Sequence, residues 1–392
     1  MKRSTHRILT THCGSLPRPN DLLEMLMARE QGSLHDIQAF HARVRAAIGE
    51  CVRKQRDTGL DIVNDGEWSK PDYSTYVKNR FTGFEGEPTP PDTSRDMLDF
   101  PEYAPYRRTG LEQLMRPKCN GPIAWKDFDA VRRDIDNLKA AAGNAEEVFM
   151  TAVSPGQVAR FQGNSYYKSD EEYLWALADV LKDEYKAITD AGILLQIDDP
   201  DLPDGWQMYP DMSLREYRKY ATLRVDAINH ALRGIPREKV RLHVCWGSFH
   251  GPHRNDIPLE DIIDIIFRVR ASSYSIEASN PVHEHEWRVF EEVKPPEGAV
   301  LIPGVVGHCC DFIEHPELVA QRLLRYAKLL GRENVMGGTD CGLGPRVGSP
   351  EIAWAKLEAL AQGARLASKR LWIRPAKPSK KRAPARKKKA KR

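Results

Sequence analysis

Eight short runs of β-branched and apolar residues punctuate this chain, and amphipathic stretches separate them. The runs are RILTTHCGS near the start, DIVNDGE at 61–67, VFMTAVSPG, ILLQIDDP, RLHVCWG, SYSIEAS, VLIPGVVG and NVMGGTDCG. The stretches at 21–58, 170–190, 213–233, 257–270, 283–293, 316–330 and 350–370 carry the helical period. Strand and helix in alternation imply a parallel sheet covered by helices, and eight units imply closure into a (β/α)8 barrel. The fold class expected is therefore α/β, a single TIM barrel over 1–372. Two separate α/β domains are the alternative architecture. The second run is followed by a long insertion, from Pro71 to about Asn144, whose EGEPTPPD and RPKCNGPIAW segments read as a loop-rich cap above that strand.

Composition sets the class and the compartment. With 41% hydrophobic and 29% charged residues, the 392-residue chain can bury a large core. No apolar run reaches the ~18 residues needed to span a bilayer, so no membrane partner is expected. The N-terminus has basic residues but no apolar segment of a secretory signal. Seven cysteines, an odd number without the spacing of a stapled scaffold, point to a reducing cytoplasm with thiols free for metal or chemistry. The net charge of +4 conceals an asymmetry, because the segment from Arg374 to Arg392 alone holds 11 Lys and Arg and no acid, which leaves −7 on the rest. This tail, 373–392, cannot bury enough apolar surface to fold and is expected to be disordered. Nucleic acid is not an expected partner, except through phosphate contacts made by the tail.

The polar residues gather where the proposed strands end: Ser15, Glu67, Asp198, His243, Cys245, Glu277 and Cys341. In a barrel that C-terminal rim is where sites are built. His243 and Cys245 flank Val244, and alternation along a strand points both to one face. Glu277 ends the next strand, and Cys341 ends the eighth, within reach across the rim. One imidazole, one carboxylate and two thiolates suit zinc, a borderline ion that takes four donors in tetrahedral array. His250 and His253, on the following loop, are weaker candidates.

These segments resemble the C-terminal catalytic barrel of cobalamin-independent methionine synthase over nearly the whole chain, the basic tail excepted. TTHCGSLPRP is similar to that family's opening Ile-Gly-Ser strand, VNDGEW to its His-Gly-Glu, LLQIDDPDL to its Gln-Ile-Asp-Glu-Pro, and SIEAS and DCGL to its zinc-bearing segments. The resemblance implies His243, Cys245, Glu277 and Cys341 as zinc ligands, and Ser15, Glu67 and Asp198 as the residues that hold an amino acid substrate. It further implies methyl transfer to a homocysteine-like thiol from a small donor such as a methyl-folate. Three departures stand out. The family's larger N-terminal half has no counterpart. Asn164 stands where the family has a Trp that stacks on folate. Cys309 stands where it has a proton-donating His, with His308 one residue earlier as the candidate catalytic acid. The thiol side is thus intact and the methyl-donor side altered.

Zinc would deprotonate a thiol whose ordinary pKa is about 8.5 and keep the sulfur nucleophilic. Asp198 and Glu67 would capture the substrate ammonium and fix that sulfur for in-line attack. Alkyl transfer from an epoxide or ether to a thiol cofactor is the competing reading. A metal-free lyase of the uroporphyrinogen decarboxylase type is the second, disfavoured by the His, Glu and two Cys.

Overall fold

The computed structural model describes residues 1–90, 93–103, 116–344 and 346–372. The tail at 373–392 lies outside the described residues. Seven strands form one curled sheet in sequential order, every neighbouring pair parallel. They are β1 (Ile62–Val63), β2 (Glu147–Val153), β3 (Leu194–Asp198), β4 (Val240–Val244), β5 (Ser273–Ile276), β6 (Val300–Val306) and β7 (Gly338–Thr339). Each coincides with one of the apolar runs read from sequence, and apart from Glu147 and Val148 at the head of β2 their residues are buried, because helices cover the outer face while side chains fill the inner one. The first expected strand is a single bridge, Thr10 to Gly337. Around it, Gly337 N donates to Leu9 O, Thr11 N donates to Gly337 O, and the amides of Asp61 and Ile62 both donate to Thr10 O. This segment is therefore bonded at once beside β7 and beside β1.

Side chains inside the curl form their own small cluster, in which Leu9, Ile62, Phe149, Leu194, Ile302 and Met336 meet. Above it lies Arg241, fully buried, with its guanidinium 4.0 Å over the Phe149 ring and donating to Thr11 Oγ1 and His12 O. Arg241 points inward for the same reason as His243: both sit on alternate positions of β4. The larger cluster lies between sheet and helices.

Helix starts follow the sequence signals. Ser169 caps Asp170–Asp190, and Ser213 closes a full capping box with Glu216 at the head of Leu214–Ala231. Four stretches depart from expectation. The 21–58 stretch is two helices, Asn20–Glu30 and Ile37–Thr58, broken where Gly32 takes φ +70° and Asp36 caps the second. The 257–270 and 283–293 stretches shrink to 3-10 turns at Leu259–Asp261 and Glu284–Arg288 with single α-helical turns behind them. The insertion is only partly a loop-rich cap, for it contains the regular helix Asp129–Ala141, which packs in the outer layer against Ile37–Thr58 and Asp170–Asp190.

Arg80 ties the insertion to this layer. Its guanidinium meets Glu184 at 2.5 Å and lies 4.4 Å over the Tyr76 ring, with both ionic partners buried. Removing one partner of such a pair leaves an uncompensated charge. Glu184→Ala is therefore expected to lower unfolding free energy by about 3–5 kcal/mol, measured as a shift of the urea midpoint; a loss near zero would show that the insertion is held by other contacts.

Candidate metal and substrate site

β4 delivers His243 and, one step beyond its end, Cys245 to the interior at the rim, as strand alternation requires. Cys341 follows two residues after β7. One ring nitrogen of His243, Cys245 Sγ and Cys341 Sγ lie within 4.8 Å of one another. The two sulfurs are 3.6 Å apart, and none of the seven cysteines is in a disulfide. Nε2 of His243 is buried without a hydrogen-bond partner, which is costly unless something else binds it. The hydrogen bond from Cys245, with the charge of His243, draws the Cys341 thiol well below its ordinary range, whereas the same bond and burial drive Cys245 well above it. Burial opposes a charged His243, but the Cys13 and Cys341 sulfurs outweigh it and hold the imidazole well above the ordinary histidine range. An imidazole and two thiols that surrender their protons on binding form a donor set suited to a borderline cation such as zinc.

Glu277 closes β5 but falls in a second set. Its carboxylate, a His308 ring nitrogen and an Asp340 oxygen lie within 4.8 Å of one another, all buried. Glu277 Oε2 accepts from Trp246 N at 2.8 Å and Oε1 accepts from Asn280 Nδ2 at 3.0 Å. Asp340 is fully engaged, accepting from the amides of Ala278 and Ser279 and from Ser279 Oγ. Both ring nitrogens of His308 are buried and unpartnered. Neither weaker candidate joins these sets. His250 is exposed, and His253 Nδ1 is bonded to Asp256 at 2.7 Å, in a network that passes through Asp256 to His283.

The other expected residues lie on the neighbouring strand ends. Glu67, in the turn after β1, has φ +59°, and its Oε1 accepts from Thr151 Oγ1. That carboxylate occupies space over Gly14, where a Cβ would come within 2.5 Å of Oε1; Gly14 itself has φ +140°. Asp198 ends β3, with Oδ1 accepting from Gln196 Nε2 at 2.8 Å. Burial, reinforced by the charge of Asp198, pushes Glu67 up to about 8, and burial pushes Asp198 up to about 7. Two buried carboxylates that resist ionising together form a receptor for a cation. Ser15 packs on the loop after Cys341, and its carbonyl accepts from the amides of Leu343 and Gly344.

The catalytic-domain profile of the cobalamin-independent synthases matches residues 150–366, more than half of the chain. The chain belongs to the cobalamin-independent methionine synthase family. It is 26% identical over 366 residues to the methionine synthase of Thermococcus kodakarensis, covering 92% of this chain and 94% of that one. With the methionine synthase of Saccharolobus solfataricus the identity is 24% over 368 residues, covering 92% and 95%. In fold it is similar to the B12-independent methionine synthase of Shewanella sp. W3-18-1 in complex with selenomethionine, with a TM-score of 0.73, 21% identity, and 93% and 99% of the two chains covered. A methyltransferase from Methanosarcina mazei shares the fold at a TM-score of 0.53 and 13% identity, with 92% and 94% covered.

Within this methionine synthase family site, several residues were not singled out by sequence. Lys70, buried, sends Nζ to Thr151 O at 2.8 Å and lies close enough to Glu67 and Asp198 to offset their charge. Asp340 precedes a candidate ligand, but its role emerges only from the amides it faces. Cys13, two residues before Ser15, touches His243. The position of the family's stacking Trp is a turn: Asn164 Oδ1 accepts from the amides of Tyr166 and Tyr167, and Nδ2 donates to Tyr167 O. Cys309 donates to Phe249 O, and burial pushes its thiol far up, so it keeps its proton.

Proposed function

We propose that this protein is a zinc-dependent methyltransferase that moves a methyl group to the thiol of homocysteine. The observation that carries the reading is the convergence of His243, Cys245 and Cys341 within 4.8 Å, at the same rim as the buried pair Glu67 and Asp198. His243, Cys245 and Cys341 would hold zinc, with Glu277 as the fourth donor. When bound there, zinc lowers the pKa of a thiol and presents it as a thiolate.

The remaining steps belong to the chain's own groups. Glu67 and Asp198 receive the substrate ammonium, Lys70 tempers their mutual repulsion, and Ser15 lines the amino acid end. Burial of these groups excludes water and strengthens each electrostatic contact. The methyl donor leaves with an electron pair and needs a proton. His308, buried and with both nitrogens free of partners, is placed beside Glu277 and Asp340 to supply it. Cys309 is not the donor, because its thiol holds its proton too firmly.

The catalytic unit in this reading is residues 1–372, an eight-stranded barrel in which Leu9–Thr11 joins β7 to β1. The donor is a methyl-folate or a related methyl carrier that does not depend on stacking at position 164. Loss of one aromatic platform costs about 0.5–1.5 kcal/mol, roughly two- to tenfold in binding. Purified protein reconstituted with zinc, homocysteine and 5-methyltetrahydrofolate is expected to form methionine, with the polyglutamylated donor giving little advantage. Stoichiometric zinc without methionine from any methyl-folate would turn the assignment toward alkyl transfer from another donor.

A further inference from the structure

We infer that Cys13 is a positioning residue for His243: its sulfur accepts a hydrogen bond from Nδ1–H and thereby leaves Nε2 as the bare nitrogen that faces the metal. This rests on the metal reading above. Cys13 is buried at the end of the first, bridge-forming segment and is fixed from two directions. Its amide donates to Thr339 Oγ1 at 3.2 Å, and that same hydroxyl donates to Cys341 O at 2.9 Å, so the position of Cys13 is tied to the strand end that carries a thiol donor.

The proton count follows from what each neighbour can do. Thr339 O only accepts, so at 2.9 Å it takes the single S–H of Cys13. The sulfur is then left to accept from its other neighbours, His243 Nδ1 and Ser275 Oγ, each at 3.4 Å. A hydrogen between an accepting sulfur and Nδ1 must sit on the nitrogen. When His243 gives up a proton to a cation, the hydrogen facing Cys13 is thereby the one kept on Nδ1, and the lone pair falls on Nε2, the atom that is buried and unpartnered. Cys13 itself is not in the tight set with Cys245 and Cys341, which separates it from the donors. The usual outer partner of a metal-bound imidazole is a carboxylate or carbonyl oxygen. Here a thiol fills that place, made an acceptor by the carbonyl behind it.

Outer partners of this kind typically set metal affinity by about 10- to 100-fold. Zinc dissociation constants would be measured by chelator competition at fixed pH for the unsubstituted chain, Cys13→Ser and Cys13→Val. Valine fills the site with apolar groups, about one methyl more than the thiol, and removes the acceptor, whereas serine is smaller but both donates to Thr339 O and accepts from Nδ1–H. The expected order is serine within about threefold of the unsubstituted chain and valine about 10- to 100-fold weaker. A packing role would give the reverse order, and equal affinity for valine and cysteine would overturn the positioning role alone. If valine prevents folding, Cys13→Ala carries the same comparison. In the cobalt-substituted protein, Cys13→Ser should leave the thiolate-to-metal absorption intact. Loss of about a third of it would make Cys13 a ligand and overturn the inference. Failure of the unsubstituted chain to bind zinc would overturn both this inference and the reading beneath it.

Discussion

Cys245→Ser is expected to lose stoichiometric zinc and to reduce methionine formation by about 10³-fold while the protein stays folded. A thiol of pKa about 8.5 is only a few per cent ionised at neutral pH, so losing metal activation alone costs a factor of about 30. Losing the fixed position of the reacting sulfur adds about 10²-fold. Stability should change little, because Cys245 belongs to neither apolar cluster although its neighbours Val244 and Trp246 anchor the larger one. The loop beyond it is held separately: Trp246 stacks on His283 at 3.8 Å, and its Nε1 donates to Ile257 O. Metal analysis beside a thermal melt checks both halves. Full zinc occupancy in the variant would remove Cys245 from the site.

The legibility of this site tracks how local its geometry is. His243 and Cys245 could be placed together from sequence because alternation along one strand is a property of three residues. Cys341 required the order of the strands, which the eight apolar runs supplied. Glu277 shows the limit. Its neighbourhood follows from the pairing of β4 with β5, where Val244 lies opposite Ile276, but the direction of its carboxylate is decided by the Trp246 amide and Asn280, and no periodicity encodes those. Cys13 was hidden for a related reason. The segment that carries it makes one bridge rather than a ladder, so its register depends on Gly337 and Asp61 from distant parts of the chain. Apolar content by itself does not guarantee a regular helix. Ile262, Ile263, Ile265 and Ile266 are all buried, yet Ile262 adopts φ −132° and interrupts the helix their spacing suggests. At 21–58 the break lies in a short turn, where Gly32 takes φ +70° and the Asp36 side chain caps the second helix.

Asp198→Asn is expected to weaken homocysteine binding to the zinc-loaded protein by about 10²–10³-fold without changing metal content. A buried charge deprived of its partner typically costs 2–5 kcal/mol, and each ~1.4 kcal/mol is tenfold. The control is 4-sulfanylbutanoate, which keeps the thiol and carboxylate and lacks the amino group; it should bind the parent and the variant within about threefold, since it has no ammonium to lose. The ratio of the two affinities isolates the carboxylate pair from the metal, because thiol ionisation is common to both ligands. That ratio should also depend on pH. Burial holds Glu67 up to about 8 and Asp198 up to about 7, so at pH 6 the pair carries protons that an arriving ammonium must displace. Homocysteine should therefore gain on its analogue as pH rises from 6 to 8, by up to about tenfold per unit for each proton released. In Asp198→Asn one titrating partner is gone, and with its negative charge removed Glu67 should ionise at lower pH, which flattens the upper part of the rise. Titration calorimetry in two buffers of different ionisation enthalpy counts the protons directly. A ratio that is independent of pH and unchanged by Asp198→Asn would mean that Glu67 and Asp198 serve the fold and that the ammonium is bound elsewhere.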